Sequence, residues 1–375
     1  MILHSLEARR IEIPFRIPFE HTSATRNATE GLWVEARSEG DGVGYGEGCP
    51  RRYVTGEDMA TAASFFTKHR NTLIKRLHAL EDLRQWTAEQ RQALDENPAA
   101  WCAIELALLD LLAREAGLSV EALLGARELR GEYRYSAVVG SGHLDRLRET
   151  VQKYRQLGFT DFKVKLTGDV GRDREALGEV RGGRDSQDLR VRADFNNAFQ
   201  DESQAAAYLD ELNVPLFALE EPLAANQIPA LARLAERAAT PIILDESLLR
   251  REQLDALPGP PELWIVNLRV SKMGGLLRSL ELLETARARG IRVIVGAQVG
   301  ETSLLTRAGL AVAEQACDIL VAQEGAIGRH LLMDDVCDPS YQFGFGGVLK
   351  AETAKGSGVG LGIDLAAEPS FLIPG

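Results

Sequence analysis

The sequence predicts an α/β fold: a modified (β/α)₈ barrel of the TIM type, with an α+β capping domain built from the N-terminal region and the C-terminal tail. Three observations predict it. From about Tyr133 the chain alternates strictly between Val/Ile/Leu-rich runs and helical stretches, as strands buried on both faces and their crossover helices do. Successive runs end in chemically committed side chains, Lys165, Asp194, Glu220, Asp245 and Arg269. Their spacing of 24 to 29 residues is about one strand–loop–helix unit. Eight such units in roughly two hundred residues close into a barrel more naturally than they extend as an open sheet.

The elements follow in order. Residues 1–128 are expected to form the capping domain, 129–337 the barrel, and 338–375 a segment returning to the cap. In the first part LWVEARSE alternates apolar and polar like a half-buried strand. GDGVGYGEG reads as a glycine-rich turn. Helices are expected over Glu57–Leu77 and Pro98–Ala116, the second closing at Gly117. The eight barrel strands are YRYSAVVG, DFKVKL, LRVRADF, LFALEEP, PIILDES, LWIVNLRV, RVIVGAQV and DILVAQEG. The tail, with GFGGVL and GSGVGLGID, reads as short strands and turns.

Composition narrows the function. A chain of 375 residues suits a barrel with a second, smaller domain. A formal net charge of −12 argues against nucleic acid as the main partner, because phosphate binding needs clustered Lys and Arg. It leaves room for a small anionic substrate, which depends on local charge alone. The four cysteines, Cys49, Cys102, Cys317 and Cys337, lie far apart and read as reduced thiols, so a cytoplasmic enzyme is expected. MILHSLEARR has no apolar core of a signal peptide. The apolar run WCAIELALLDLLA is short and carries Glu105 and Asp110, as a core helix does and a membrane span does not.

Lys163 and Lys165 are separated by one residue, so on a strand both point to the same face. Two lysines there are costly unless they serve a site, and each disfavours the other's charge, toward the ~7–8 useful to a general base. A strand end with two solvated amines is the plainer alternative. Asp194, Glu220 and Asp245 are three carboxylates on adjacent strand ends with no His or Cys among them. An all-oxygen set favours Mg²⁺ first and Mn²⁺ second, against the alternative of three unrelated helix caps. Glu220 and Glu221 are adjacent, so only one can face the barrel axis, and pattern does not choose between them.

These motifs, Lys163-x-Lys165, Asp194-x-Asn196, Glu220-Glu221-Pro222, Asp245-Glu246-Ser247 and the stretch Asn267 to Gly275, resemble the enolase superfamily. Specifically they resemble its mandelate racemase/muconate lactonizing enzyme family, in the muconate-lactonizing and dipeptide-epimerase-like subgroup. The resemblance spans essentially the whole chain. It implies that Asp194, Glu220 and Asp245 bind Mg²⁺, and that the proton α to a small substrate's carboxylate is removed through an enediolate intermediate. Lys165 would be the base and Lys163 would tune it. Asn196 and Glu246 would support the site.

The subgroup carries a lysine on the sixth strand where this chain has Arg269. Arginine is not deprotonated in proteins, so it serves as an electrostatic group and not as a base. That favours chemistry on one face, β-elimination or cycloisomerisation, over two-base epimerisation of N-substituted amino acids or dipeptides. Lys272, three residues on, is the candidate replacement base. A third reading is a catalytically inactive ligand-binding barrel. The seventh and eighth strands end without the histidine of the mandelate-racemase-like subgroup and without the Asp-x-Asp of dipeptide-epimerase relatives, leaving Gln298, Glu301, Gln323 and Glu324 as pocket candidates. Barrel-rim capping is the equally plain alternative for them. PFEHTSATRNA, with His21 and Arg26, and CPRRYVTGE, with Arg51 and Tyr53, read as capping loops that select substrate. The histidines, His330 among them, lack metal-ligand spacing. No membrane partner is expected, and a homo-oligomer is.

Overall fold

The computed structural model describes residues 2–21, 24–182, 189–365 and 371–374. Eight parallel strands lie in strict chain order: β1 (Ala137–Val139), β2 (Asp161–Lys165), β3 (Arg190–Asp194), β4 (Ala218–Glu220), β5 (Ile242–Leu244), β6 (Trp264–Leu268), β7 (Arg292–Val295) and β8 (Leu320–Gln323). The sheet curls until its edges meet. Tyr135 bridges Gln323 in parallel, and the Ser136 N–H donates to the Gln323 carbonyl at 2.8 Å. A curled sheet of this order removes the exposed edge that an open sheet would present.

The run read as one strand from Tyr133 divides in two. Glu132–Arg134 pairs antiparallel with Val348–Lys350 of the tail, and only Ala137–Val139 enters the barrel. A second departure follows β8. Among the described residues no α-helix intervenes there before Ala351–Ala354, only 3₁₀ turns at Gly328–His330 and Phe345–Gly347. The chain instead returns to the cap, where Leu372–Pro374 pairs with Leu3–Ile11.

Inside the barrel Ala218, Ile243, Ile265, Ile294 and Ala322 form their own apolar cluster. Each lies two residues before Glu220, Asp245, Asn267, Gly296 or Glu324. Strand side chains alternate with a period of two, so an apolar plug floors a polar layer at the C-terminal mouth.

The cap is a four-stranded antiparallel sheet, Leu372–Pro374, Leu3–Ile11, Gly31–Ser38 and Val43–Gly48, backed by helices. Met59–Arg76 starts at a capping box made by Asp58 and Thr61. Pro98–Ala116 has Pro98 in its first turn and ends at Gly117, φ 66°. The glycine-rich segment expected to be a turn is mostly the strand Val43–Gly48. Its glycines face the helix: a Cβ on Gly46 would lie 1.9 Å from the Ala103 carbonyl oxygen, and one on Gly48 1.9 Å from that of Ala99. Gly44, Gly46 and Gly48 are absent side chains that let the helix backbone approach the sheet. PFEHTSATRNA, expected as a loop, forms a hairpin of Pro14–His21 and Ala24–Ala28.

Cys49, Cys102 and Cys337 are buried, Cys317 is exposed, and none of the four is paired in a disulfide among the described residues. Among the described residues no helix is long and apolar enough to cross a membrane.

Candidate active site at the barrel mouth

β2 and β3 run in register, with Lys163 beside Arg192 and Lys165 beside Asp194. Lys165 Nζ donates to Asp194 Oδ2 at 3.1 Å and to Asn196 Oδ1 at 2.7 Å. Lys163 Nζ sits among three carboxylates, 2.7 Å from Glu324 Oε2, 3.1 Å from Glu220 Oε1 and 3.6 Å from Asp194 Oδ2. Glu324 bridges two cations, because its other oxygen accepts from Arg192 at 2.7 Å. Arg192 also donates to Ser136 at 2.7 Å and to Asp161 at 3.1 Å. Arg269 bonds Asp245, donates to Gln298 Oε1 at 3.0 Å and lies 4.0 Å from Glu220.

The adjacent glutamates part ways. Glu221 has φ 40°, a left-handed conformation costly for a non-glycine residue, and a set of hydrogen bonds holds it there. Its carboxylate accepts from the Asp245 N–H at 2.7 Å and from the Ser247 N–H and hydroxyl at 2.8 Å. Glu220 is left facing Lys163, with Asn267 Nδ2 at 3.5 Å. Asn196 and Asn197 are left-handed too, φ 44° and 60°, a conformation asparagine tolerates.

Burial raises a lone carboxyl and lowers a lone ammonium; here opposite charges reverse the result. Burial works against Asp194, Asp245 and Glu324, yet their neighbouring cations hold all three below the ordinary carboxylate range. Burial alone would depress Lys163, but Glu220, Glu324 and Asp194 push it up. The mutual depression expected of the lysine pair is therefore absent at Lys163, since carboxylates outweigh the neighbouring amine. Glu220 is pushed up to about 8 by burial and by nearby carboxylates, against the pull of Lys163. Glu246 is pushed up to about 8 by burial and by Asp245.

A cavity of about 450 Å³ opens over this cluster. Lys163, Lys165, Asp194, Asn196, Glu246, Arg269, Gln298, Glu301, Glu324 and Tyr53 line it. Several predicted residues do not. Lys272 is buried and donates at 2.8 Å to the Asp245 carbonyl, Asp245 Oδ1 and the Asn267 carbonyl, so its three hydrogens are committed away from the cavity. Arg26 pairs with Glu30 at 3.5 Å. Arg51 ties the cap to the β7 loop through the Glu30, Pro50 and Val299 carbonyls, each at 2.8 Å. Gln323 is buried in β8. The His21 side chain lies outside the described residues. His330 lines the outer end of the cavity, stacked on Phe343 with ring centroids 4.7 Å apart.

The sequence reading missed Arg192 and Asn267, both fully buried in the barrel. The available signal was the period of two: Arg192 precedes Asp194, and Asn267 precedes Arg269, by two residues. Gly296 belongs to the same layer, since a Cβ there would lie 2.1 Å from Asn267 Oδ1.

Among the described residues no group of three His, Cys, Asp or Glu side chains converges to enclose an ion, because each carboxylate is turned to a cation of the chain. The donor chemistry still fits a hard divalent ion. The set is all oxygen, sits on adjacent strand ends, and leaves Glu220 Oε2 buried without a partner.

The comparisons agree with this architecture. Residues 146–368 match the family model described as Enolase C-terminal domain-like, and residues 5–125 match that of the mandelate racemase / muconate lactonizing enzyme N-terminal domain. An N-succinylamino acid racemase from Amycolatopsis sp is 30% identical over 366 residues, covering 96% of this chain and 95% of that protein. A chloromuconate cycloisomerase from Cupriavidus pinatubonensis is 28% identical over 324 residues, 84% of each chain. The structure of a dipeptide epimerase from Methylococcus capsulatus, complexed with Mg and the dipeptide L-Arg-D-Lys, superposes with a TM-score of 0.76. It is 26% identical and covers 89% of this chain and 93% of that one. The chain belongs to the mandelate racemase/muconate lactonizing enzyme family of the enolase superfamily.

Proposed function

We propose that this chain is a cytoplasmic, Mg²⁺-dependent enzyme that removes the proton α to the carboxylate of a small substrate and completes the reaction on the same face, by β-elimination or cycloisomerisation. One observation carries the single-face reading: the sixth strand offers Arg269 to the cavity, and Lys272 is turned away with its hydrogens committed. Lys165 is then the base, reaching the cavity through Nζ, with Asn196 orienting it at 2.7 Å. Lys163 stays charged among its carboxylates and, with Arg269, holds the substrate's negative end. Asp194, Glu220 and Asp245 would hold Mg²⁺, with Mn²⁺ as the alternative. When bound, it supplies the divalent charge that offsets charge developing on the substrate carboxylate. Glu246, Gln298, Glu301, Glu324 and Tyr53 line the substrate space. Residues 1–128 and 338–375 form the cap over a 129–337 barrel, in a homo-oligomer.

The racemase and epimerase relatives support a second reading, epimerisation of N-substituted amino acids or dipeptides. That reaction needs a proton acceptor on each face of the α-carbon. Incubation in D₂O with pooled N-acyl amino acids, dipeptides, hydroxy acids and proline derivatives, with Mg²⁺ or chelator, separates the readings by mass spectrometry. Metal-dependent loss of substrate with loss of water supports elimination. Recovered, inverted substrate gaining one deuterium supports epimerisation. Binding without exchange or turnover supports the inactive barrel.

A further inference from the structure

Two strands break the apolar plug of the barrel. On β4 to β8 the residue two places before the strand-end position is Ala218, Ile243, Ile265, Ile294 or Ala322. On β2 and β3 the same place holds Lys163 and Arg192, side by side in register. Lys163 reaches the cavity, whereas Arg192 is fully buried and is not among the residues that line it. A buried arginine carries a desolvation cost that an apolar residue of similar volume avoids, and the Nε of Arg192 lies buried without a hydrogen-bond partner. Filling the barrel does not account for that cost, since the other strands fill it with alanine and isoleucine.

The two arms of the guanidinium divide the work. Nη2 is anchored: it donates to Ser136 Oγ at 2.7 Å, just before β1, and to Asp161 Oδ1 at 3.1 Å, at the start of β2. Asp161 is itself held by Arg190 at 2.6 Å. Nη1 is then aimed at one group, Glu324 Oε1 at 2.7 Å. The Glu324 carboxylate lines the cavity with both oxygens taken, the second by Lys163 at 2.7 Å. A carboxylate clamped this way is a fixed negative charge that sets where the ammonium beside it sits. Lys163 in turn lies 3.1 Å from Glu220 and 3.6 Å from Asp194. Resting on the metal and α-proton reading above, we propose that Arg192 is a positioning residue for the mouth: by clamping Glu324 it fixes the Lys163 ammonium, and its charge offsets one carboxylate that a divalent ion would otherwise feel.

The test compares wild type, Arg192→Gln and Arg192→Lys by calorimetric titration with Mg²⁺ alone and by crystal structure. Arg192→Gln removes the charge and is expected to bind Mg²⁺ at least about threefold more tightly, because a positive charge near the ion is gone. Arg192→Lys keeps the charge and is expected to stay within about twofold of wild type. In crystals of Arg192→Gln, Glu324 and the Lys163 ammonium are expected to leave their wild-type places by more than about 0.5 Å, the tolerance of a working site. A role in packing alone would leave Mg²⁺ affinity unchanged or weaken it in both variants. That result, or Glu324 and Lys163 staying in place, would overturn the proposal. If Arg192→Gln does not fold, Glu324→Gln carries the test with the opposite sign: Mg²⁺ binding is expected to weaken by at least about threefold, and unchanged affinity overturns the proposal. A wild type that takes up no Mg²⁺ counts against the metal reading, and the crystal structures then decide the positioning role alone. α-Proton exchange of the pooled carboxylates in D₂O is read in parallel on wild type. Affinities that move as expected in a protein without exchange support the role of Arg192 and count against the α-proton reading; exchange with affinities that do not move does the reverse.

Discussion

Two sets of buried carboxylates in this molecule meet opposite fates. At the barrel mouth Asp194, Asp245 and Glu324 are buried but ion-paired, and their cations hold them ionised. In and around the cap Glu47, Glu57 and Glu105 are as deeply buried, form no ion pair among the described residues, and are pushed up to about 7 by burial. These three act as neutral-leaning acceptors at helix starts. Glu47 accepts from the Thr302 hydroxyl at 2.6 Å and N–H at 3.1 Å, Glu105 from the Leu277 N–H at 3.0 Å, and Glu57 from the Ala99 N–H at 2.9 Å. Glu47 and Glu105 thereby fasten the cap to barrel helices. Residue type and depth are alike in the two sets, so the partner decides the charge. Glu220 is the exception within the mouth: it shares Lys163 with Asp194 and Glu324 and is pushed up to about 8.

The largest expected effect tests whether the mouth is chemically active. Lys165→Met is expected to lower α-proton exchange by about 10²–10⁴-fold, read by deuterium uptake, in protein whose circular dichroism spectrum is that of the folded wild type. An exchange rate within threefold of wild type would remove Lys165 from the mechanism. Next comes the rule that a buried pair must not be broken. Glu121 and Arg307 form a buried two-bond pair at 2.5 and 2.8 Å between cap and barrel, so this seam carboxylate has a cation partner as those of the mouth do. Arg307→Met is expected to cost about 3–5 kcal/mol in urea unfolding, because Glu121 is left buried without its partner. A cost below about 1 kcal/mol would refute the partner rule.

Arg269→Lys restores a group able to accept a proton. It is expected to change turnover by about tenfold and to add inverted substrate to the products. Unchanged turnover and product ratio would argue against an electrostatic role for Arg269. The smallest effect concerns the seam. Glu47→Gln keeps an acceptor for Thr302 and is expected to cost less than about 1 kcal/mol, whereas Glu47→Ala leaves Thr302 unpaired and costs about 1–3 kcal/mol. The sign with pH follows from a raised native value. Between the ordinary 4.5 and about 7 the folded state retains a proton that the unfolded state releases. Stability from Glu47 therefore falls as pH rises through that window and levels off above it. Chemical denaturation of wild type and Glu47→Gln from pH 5 to 8 should show a shallower decline in the variant.

Much of the site was legible in the chain because barrel chemistry sits at strand ends and repeats with the βα unit. Lys163, Lys165, Asp194, Glu220, Asp245 and Arg269 stood out for that reason. Arg192 and Asn267 did not, since a charged or polar residue inside an apolar run carries no label for what it meets. VGYGEG was read as a turn because glycine composition resembles turn composition. Its true cause, contact with Ala99, Ala103 and Ala107 of a distant helix, lies outside any local window.

By itself the sequence determined the barrel, the order of its site residues and the absence of a second titratable lysine in the Arg269 position. The first two follow from periods of two and of about 25 residues, both properties of the chain taken locally, and the third from the resemblance to the family. Only the tertiary structure decided that Lys272 turns away from the cavity, that Glu221 faces the β5 turn while Glu220 faces Lys163, that the segment after β8 lines the cavity with Ile327, Leu331 and Phe343, and that Glu47 meets Thr302 instead of a cation. Each of these depends on a through-space distance between residues far apart in the chain, and electrostatic and packing energies are set by that distance.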